Sequence, residues 1–121
     1  MAGYKHDRVA EDIKREIAAV IRELKDPRVQ GKMLTVVNVD VSSDASFAKV
    51  YVSALEGKET AVTAVKGLVS ATGYIRREIG QRLHLRKTPE LKYIADDSIE
   101  KGMKIAGMLN NISEEEKSYD D

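Results

Sequence analysis

The sequence predicts an α+β domain, a small sheet covered by helices, and three observations carry that prediction. Apolar residues recur at helical spacing in residues 7–25 and again through 59–85. Residues 33–41 and 47–55 alternate apolar and polar with period two and are joined by a short polar turn. A third short strand, 90–95, follows a basic loop and leads into one more helical stretch. The order is α-β-β-α-α-β-α, with no internal repeat and no linker that would divide it.

Each element has its own justification. In the first helix, expected from Asp7 to about Lys25, Val9, Ile13, Ile17, Val20, Ile21 and Leu24 share one face. Glu11, Lys14, Arg15, Arg22 and Lys25 occupy the other, with Glu11 and Arg15 a favourable i,i+4 pair. Asp26-Pro27 stops it, because proline excludes its predecessor from helical geometry. In the first strand Thr35, Val37, Val39 and Val41 are expected on one face, with Asn38 and Asp40 opposite. In the second, Ala48, Val50, Val52 and Ala54 face the core, with Phe47, Lys49, Tyr51 and Ser53 opposite. Ser42 to Ser46 is the turn of an antiparallel hairpin.

A helix from about Glu59 to Ser70 is expected to bury Val62, Val65, Leu68 and Val69. Ala71-Thr72-Gly73 is a helix–kink–helix junction, since a small residue and a glycine let the backbone turn sharply. The next helix, Tyr74 to Leu85, turns Ile75, Ile79 and Leu83 inward. Thr88-Pro89 opens the third strand. Asp97 is a helix cap with Glu100 three residues on, a variant capping box. The last helix, from Ser98 to about Asn110, sets Ile99, Met103, Ala106 and Leu109 on one face. Phe47 and Tyr51 are expected to pack under a helix or against each other, with this helix a candidate cover; the alternative is an exposed pair that stacks on bases. Residues 1–110 form one domain, and residues 111–121 are an acidic tail expected to be disordered.

Composition narrows the function classes. The chain has 121 residues, 42% hydrophobic, with one Phe and no Trp, so its core is aliphatic. It has no Cys, which excludes disulfides, thiolate zinc sites and a cysteine nucleophile. No apolar run is long enough to span a membrane, and the N-terminus lacks the apolar stretch of a signal peptide, so a cytoplasmic location is expected. No phosphate-binding Gly-rich loop, His–Glu–His metal spacing or Gly-x-Ser-x-Gly elbow is present, so no catalytic residue, metal or cofactor is expected.

What remains is a local charge asymmetry. Lys and Arg together number 20, and so do Asp and Glu, so the whole chain is neutral. After the bend, however, come Arg76, Arg77, Arg82, Arg86 and Lys87, against Glu78 alone. A basic excess on a neutral chain is a directed surface, and phosphate is its usual ligand. Gly73 and the start of the following helix are placed to approach such a backbone, with the helix dipole facing phosphate. The simpler alternative is a kink that only lets two helices cover one sheet. Arg77 points away from the apolar stripe and lacks an acid at i±4. Arg76 sits at the border of that stripe, and Arg82 has Glu78 at i,i+4. Arg86 and Lys87 lie in the adaptable loop before Pro89. A second basic cluster comprises Lys5, His6, Arg8, Lys14 and Arg15. Cations at a helix start are not explained by the dipole, though a charged terminus alone accounts for them equally well.

The same segment, ATGYIRREIGQRLHLRKTPEL, resembles the signature of the ribosome-binding factor A family. The resemblance continues in RVAEDIKREIAAVIRELKDPRV (Arg8 to Val29) and TVVNVDVSSDASFAKVYVS (Thr35 to Ser53), in the family's order and over nearly the whole chain. It implies a type II KH-like fold, α-β-β-α-α-β, with Ala-x-Gly where ordinary KH domains carry Gly-x-x-G. It implies non-catalytic binding to the free 30S ribosomal subunit near its neck, late subunit maturation, processing of the 5′ end of 16S rRNA and importance for growth in the cold. The implied partners are 16S rRNA and ribosomal proteins at the neck, with no small-molecule substrate and a monomeric chain. Without Gly-x-x-G, recognition of RNA shape and backbone is expected in place of the ordinary single-strand clamp. The implied RNA contacts are Gly73, Arg76, Arg77, Arg86 and Lys87, with Lys5, Arg8, Lys14 and Arg15 secondary.

Overall fold

In a computed structural model the chain forms four helices and a three-stranded mixed sheet. The backbone is described for residues 2–119 and side chains for residues 8–99 and 101–110. The elements are α1 (Ala2–Glu23), β1 (Leu34–Val41), β2 (Phe47–Ala54), α2 (Lys58–Ser70), α3 (Thr72–Arg82), β3 (Glu90–Asp96) and α4 (Ser98–Tyr119). The α+β class and the element order match the sequence expectation.

The sheet order is β1-β2-β3. β1 and β2 are an antiparallel hairpin, and β3 lies parallel to β2 after the α2–α3 crossover. In the hairpin turn, Asp44 Oδ1 accepts from Ser42 Oγ (2.9 Å), Ser46 Oγ (2.6 Å) and Ser46 N (3.1 Å). The Ser46 hydroxyl is the main reason that the Asp44 carboxyl is lowered to about 2.

One sheet face is buried under α1, α2 and α3. Ile13, Ile17 and Val20 of α1, Val50 and Val52 of β2, Leu68 of α2, and Ile75 and Ile79 of α3 are fully buried. Burying each such aliphatic side chain contributes about 1.5–3 kcal/mol.

Three expected faces are corrected. In β1 the buried residues are Val36, Val39 and Val41, while Thr35 is exposed and Val37 half-buried. The register shifts between Val36 and Asn38, and this bulge flips the strand's first half relative to strict alternation. In α2 the buried residues are Ala61, Ala64, Gly67 and Leu68, whereas Val62 and Val69 are exposed. Small residues allow the helix axis to approach its neighbours closely. A Cβ on Gly67 would lie 2.8 Å from Val29 Cγ2 and 3.3 Å from Arg28 Cβ. In α4, Ile99 is half-buried, but Met103, Ala106 and Leu109 are exposed. Only the beginning of α4 lies against the sheet, so Phe47 stays 54% exposed and Tyr51 half-exposed. The helix extends to Tyr119, past the expected end near Asn110. The side chains of the acidic segment, like that of Lys5, lie outside the described residues.

Candidate nucleic-acid interface

The bend is built at Ala71, whose φ of −96° and ψ of 7° end α2 and begin α3. Its N–H still donates to Gly67 O and Leu68 O, both at 3.1 Å. Thr72 opens α3, and its hydroxyl hydrogen-bonds the Tyr93 hydroxyl at 2.9 Å, tying the bend to β3. Tyr93 is buried, and that burial raises its phenol above the ordinary range.

Gly73 belongs to the first turn of α3. It is exposed, and a Cβ built on it meets nothing within 4 Å. Neither a left-handed backbone nor internal packing therefore accounts for the glycine. The kink resides in Ala71, and Gly73 leaves the start of α3 open from outside, where the first amides of a helix lack partners within it.

Along α3, Gly73, Arg77, Gln81 and the following His84 are exposed. Arg77 has neither an ion pair nor a hydrogen bond among the described residues. The helix ends in a Schellman pattern: Leu85 N donates to Gly80 O at 3.0 Å and His84 N to Gln81 O at 3.3 Å. His84 takes the left-handed position, with φ of 52°.

The loop after α3 is held against the helix by two devices. Arg76 donates from Nε to Pro89 O (3.0 Å) and from Nη2 to Thr88 O (2.8 Å). Thr88 packs over Gly80, where an added Cβ would lie 2.7 Å from its Oγ1. Arg86 and Lys87, both exposed, are carried by this clamped loop and have no partner among the described residues. Arg76, expected as an RNA contact, thus braces the loop, a role that its place at the border of the apolar stripe did not reveal. Neither the Thr72–Tyr93 bond nor the Thr88–Gly80 contact had a local sequence signal.

Arg82 is exposed but already engaged. Its Nη2 lies 2.9 Å from Glu23 Oε2 and its Nη1 3.7 Å from Glu16 Oε2, so its ion pairs join α3 to α1. The expected partner, Glu78, is the hydrogen-bond partner that raises the Tyr74 phenol. The second basic cluster lies on other elements. Arg8 is exposed, Arg15 is bonded to Asp12 at 2.7 Å, and Lys14 and Arg15 border a cleft beside β1 with Arg22 and Lys32. Among the described residues no group of three or more His, Asp or Glu side chains could hold a metal ion. No described helix is long and apolar enough to cross a membrane.

Comparisons with known proteins identify the family and the fold. The family model described as ribosome-binding factor A matches residues 5–109. Ribosome-binding factor A of Acetivibrio thermocellus is 45% identical over 116 residues, covering 95% of this chain and 94% of the relative. The crystal structure of ribosome-binding factor A from Thermus thermophilus superposes with a TM-score of 0.63 at 30% identity, over 74% of this chain and 92% of that one. A homology model of the Thermus thermophilus factor, fitted into the cryo-EM map of its complex with the 30S subunit, gives a TM-score of 0.56 at 32% identity, over 68% and 85% of the two chains. With the family pattern matched along the sequence and the fold matched in space, this chain belongs to the ribosome-binding factor A family.

Proposed function

We propose that this chain is a cytoplasmic ribosome assembly factor that binds the free 30S subunit through the face at the α2–α3 bend. It acts without catalysis in late subunit maturation and in processing the 5′ end of 16S rRNA. The observation that carries this reading is Gly73, open to solvent with no internal reason to be glycine, beside Arg77, unpaired among the described residues, and the clamped loop bearing Arg86 and Lys87. The fitted 30S complex of the Thermus thermophilus factor supports the choice of partner. The helix–kink–helix works as a KH-like docking edge, in which backbone approach at Gly73 and cations on either side recognise phosphate positions.

Binding acts on maturation through differential affinity: the factor shifts rRNA toward the conformation that it binds more tightly. Because net charge is zero, the patch is opposed by acids elsewhere on the chain, and selectivity for assembled subunits over naked RNA follows. The test is co-sedimentation with purified small subunits, large subunits and whole ribosomes, with 16S rRNA fragments as competitors. Selective pelleting with small subunits is expected. Equal affinity for naked RNA, or absence from every ribosomal particle, contradicts the reading.

A further inference from the structure

A different part of the molecule carries a second recognition surface. Between α1 and β1 lies a cleft of about 490 Å³. Its floor is apolar, made by Ala18, Ile21, Val29 and Leu34. Its rim is basic: Lys14, Arg15, Arg22 and Lys32 face one carboxylate, Glu11. Arg15 is held by Asp12, whereas Lys14, Arg22 and Lys32 have no carboxylate partner among the described residues. A second cleft of about 430 Å³ shares Arg22, Lys32, Leu34 and Thr35 and prolongs the track past the exposed Met33 and Leu55.

The wall of this track is a sheet edge. β1 is an outer strand, paired on one side only. Its stretch Leu34–Val36 keeps regular register with β2, and the bulge comes only after Val36. Natural edges are commonly blunted by bulges or charge, because an unpaired strand edge templates another strand. Here the bulge disturbs the part of β1 beyond the cleft and leaves the part that lines it straight.

A phosphate backbone would find cations here, but it would also lie against an apolar floor that offers it nothing. An extended polypeptide meets all three features at once. Its main chain pairs with the free edge, alternate side chains reach the floor, and carboxylates reach the rim. We propose that this cleft receives an extended acidic segment of a partner protein, added as a fourth strand beside Leu34–Val36, with its carboxylates on Lys14, Arg22 and Lys32. Of the residues it uses, only Lys14 was expected to contact RNA, as a secondary contact; none belongs to the α2–α3 face, and the proposal stands or falls separately from that face.

The test uses the full chain, isotopically labelled for amide NMR, and three probes: a soluble nonapeptide of alternating Glu and Val, its Lys–Val counterpart, and a six-uridine RNA. The Glu–Val peptide is expected to shift the Leu34, Thr35 and Val36 amides, while the Lys–Val peptide leaves them unmoved. Arg22→Glu/Lys32→Glu, both exposed positions, should weaken that binding about tenfold or more while the remaining amide spectrum stays dispersed. Lys14→Glu alone should give a smaller loss in the same direction. The proposal is overturned if the acidic peptide leaves the β1 amides unmoved or if both peptides act alike. It is equally overturned if charge reversal changes nothing, or if the RNA shifts these amides more strongly than the peptide.

Discussion

Gly73 and Gly67 both sit in helices, yet the same substitution should move them in opposite directions. Nothing surrounds a Cβ at Gly73, so Gly73→Ala is expected to stabilise the fold by about 0.5–1 kcal/mol through helix propensity. If the bend is the RNA face, the same variant binds small subunits more weakly despite its higher melting temperature. At Gly67 the new methyl meets Val29, Arg28 and Asp26 between 2.8 and 3.4 Å, and overpacking of about 1–3 kcal/mol outweighs the propensity gain. Denaturant unfolding of the two variants checks both signs. His84 offers a third residue-scale case. It holds the left-handed position of the Schellman pattern, where a side chain is strained, so His84→Gly should stabilise by about 0.5–1 kcal/mol in the same assay. The sequence marked Gly73 and Arg77 because their signals are local. It missed Arg22 and Lys32, since only tertiary folding brings the end of α1 and the turn before β1 to one cleft.

At the level of elements, periodicity revealed what forms but not always which way it faces. The α3 stripe of Ile75 and Ile79 was legible because large apolar residues at helical spacing are also the buried ones. In α2 the visible valines misled, because the inner face is made of the small residues Ala61, Ala64 and Gly67, the last packed against the Asp26–Val29 turn. In β1 a bulge, which leaves no mark in an alternating pattern, moved Val36 inward. In α4 the apolar residues had no covering layer to meet beyond the first turn.

The connection between α1 and β1 has its own testable physics. Asp26 Oδ1 accepts from Arg28 N (2.8 Å) and Nε (3.0 Å), and Oδ2 accepts from Arg28 Nη2 (2.6 Å). These bonds, the Arg28 side chain foremost, lower the Asp26 carboxyl to about 2 from an ordinary 3.8. A carboxyl lowered by folding stabilises the native state above its unfolded value, and that contribution is lost as pH falls from about 4 toward 2. Thermal unfolding should show a steeper loss over that window in the parent than in Asp26→Asn, which starts less stable at neutral pH and carries no titrating group there. Because the pair is half-exposed and solvent screens it, the difference is small and narrows further in high salt.

For the whole molecule, the arrangement separates two kinds of surface on one small neutral chain. The core is continuous beneath α1, α2 and α3, and Arg82 fastens α3 to α1 through Glu23 and Glu16. Upon that scaffold, Arg77, Arg86 and Lys87 have no partner among the described residues and sit beside the open glycine, with Arg76 and Gly80 fixing the loop that bears two of them. A site with about three phosphate contacts should lose roughly twenty- to fortyfold in affinity between 50 and 200 mM salt. The measurement that bears most directly on the central claim is co-sedimentation of Arg77→Glu/Lys87→Glu with free 30S subunits beside the parent, at low and high salt. Both positions are exposed and make no bonds among the described residues, so the variant should melt with the parent. The account predicts a loss of subunit binding of about tenfold or more at low salt, with a shallower salt dependence in what remains. Binding equal to that of the parent, with the same salt dependence, would place the ribosome-facing surface somewhere other than the α2–α3 bend.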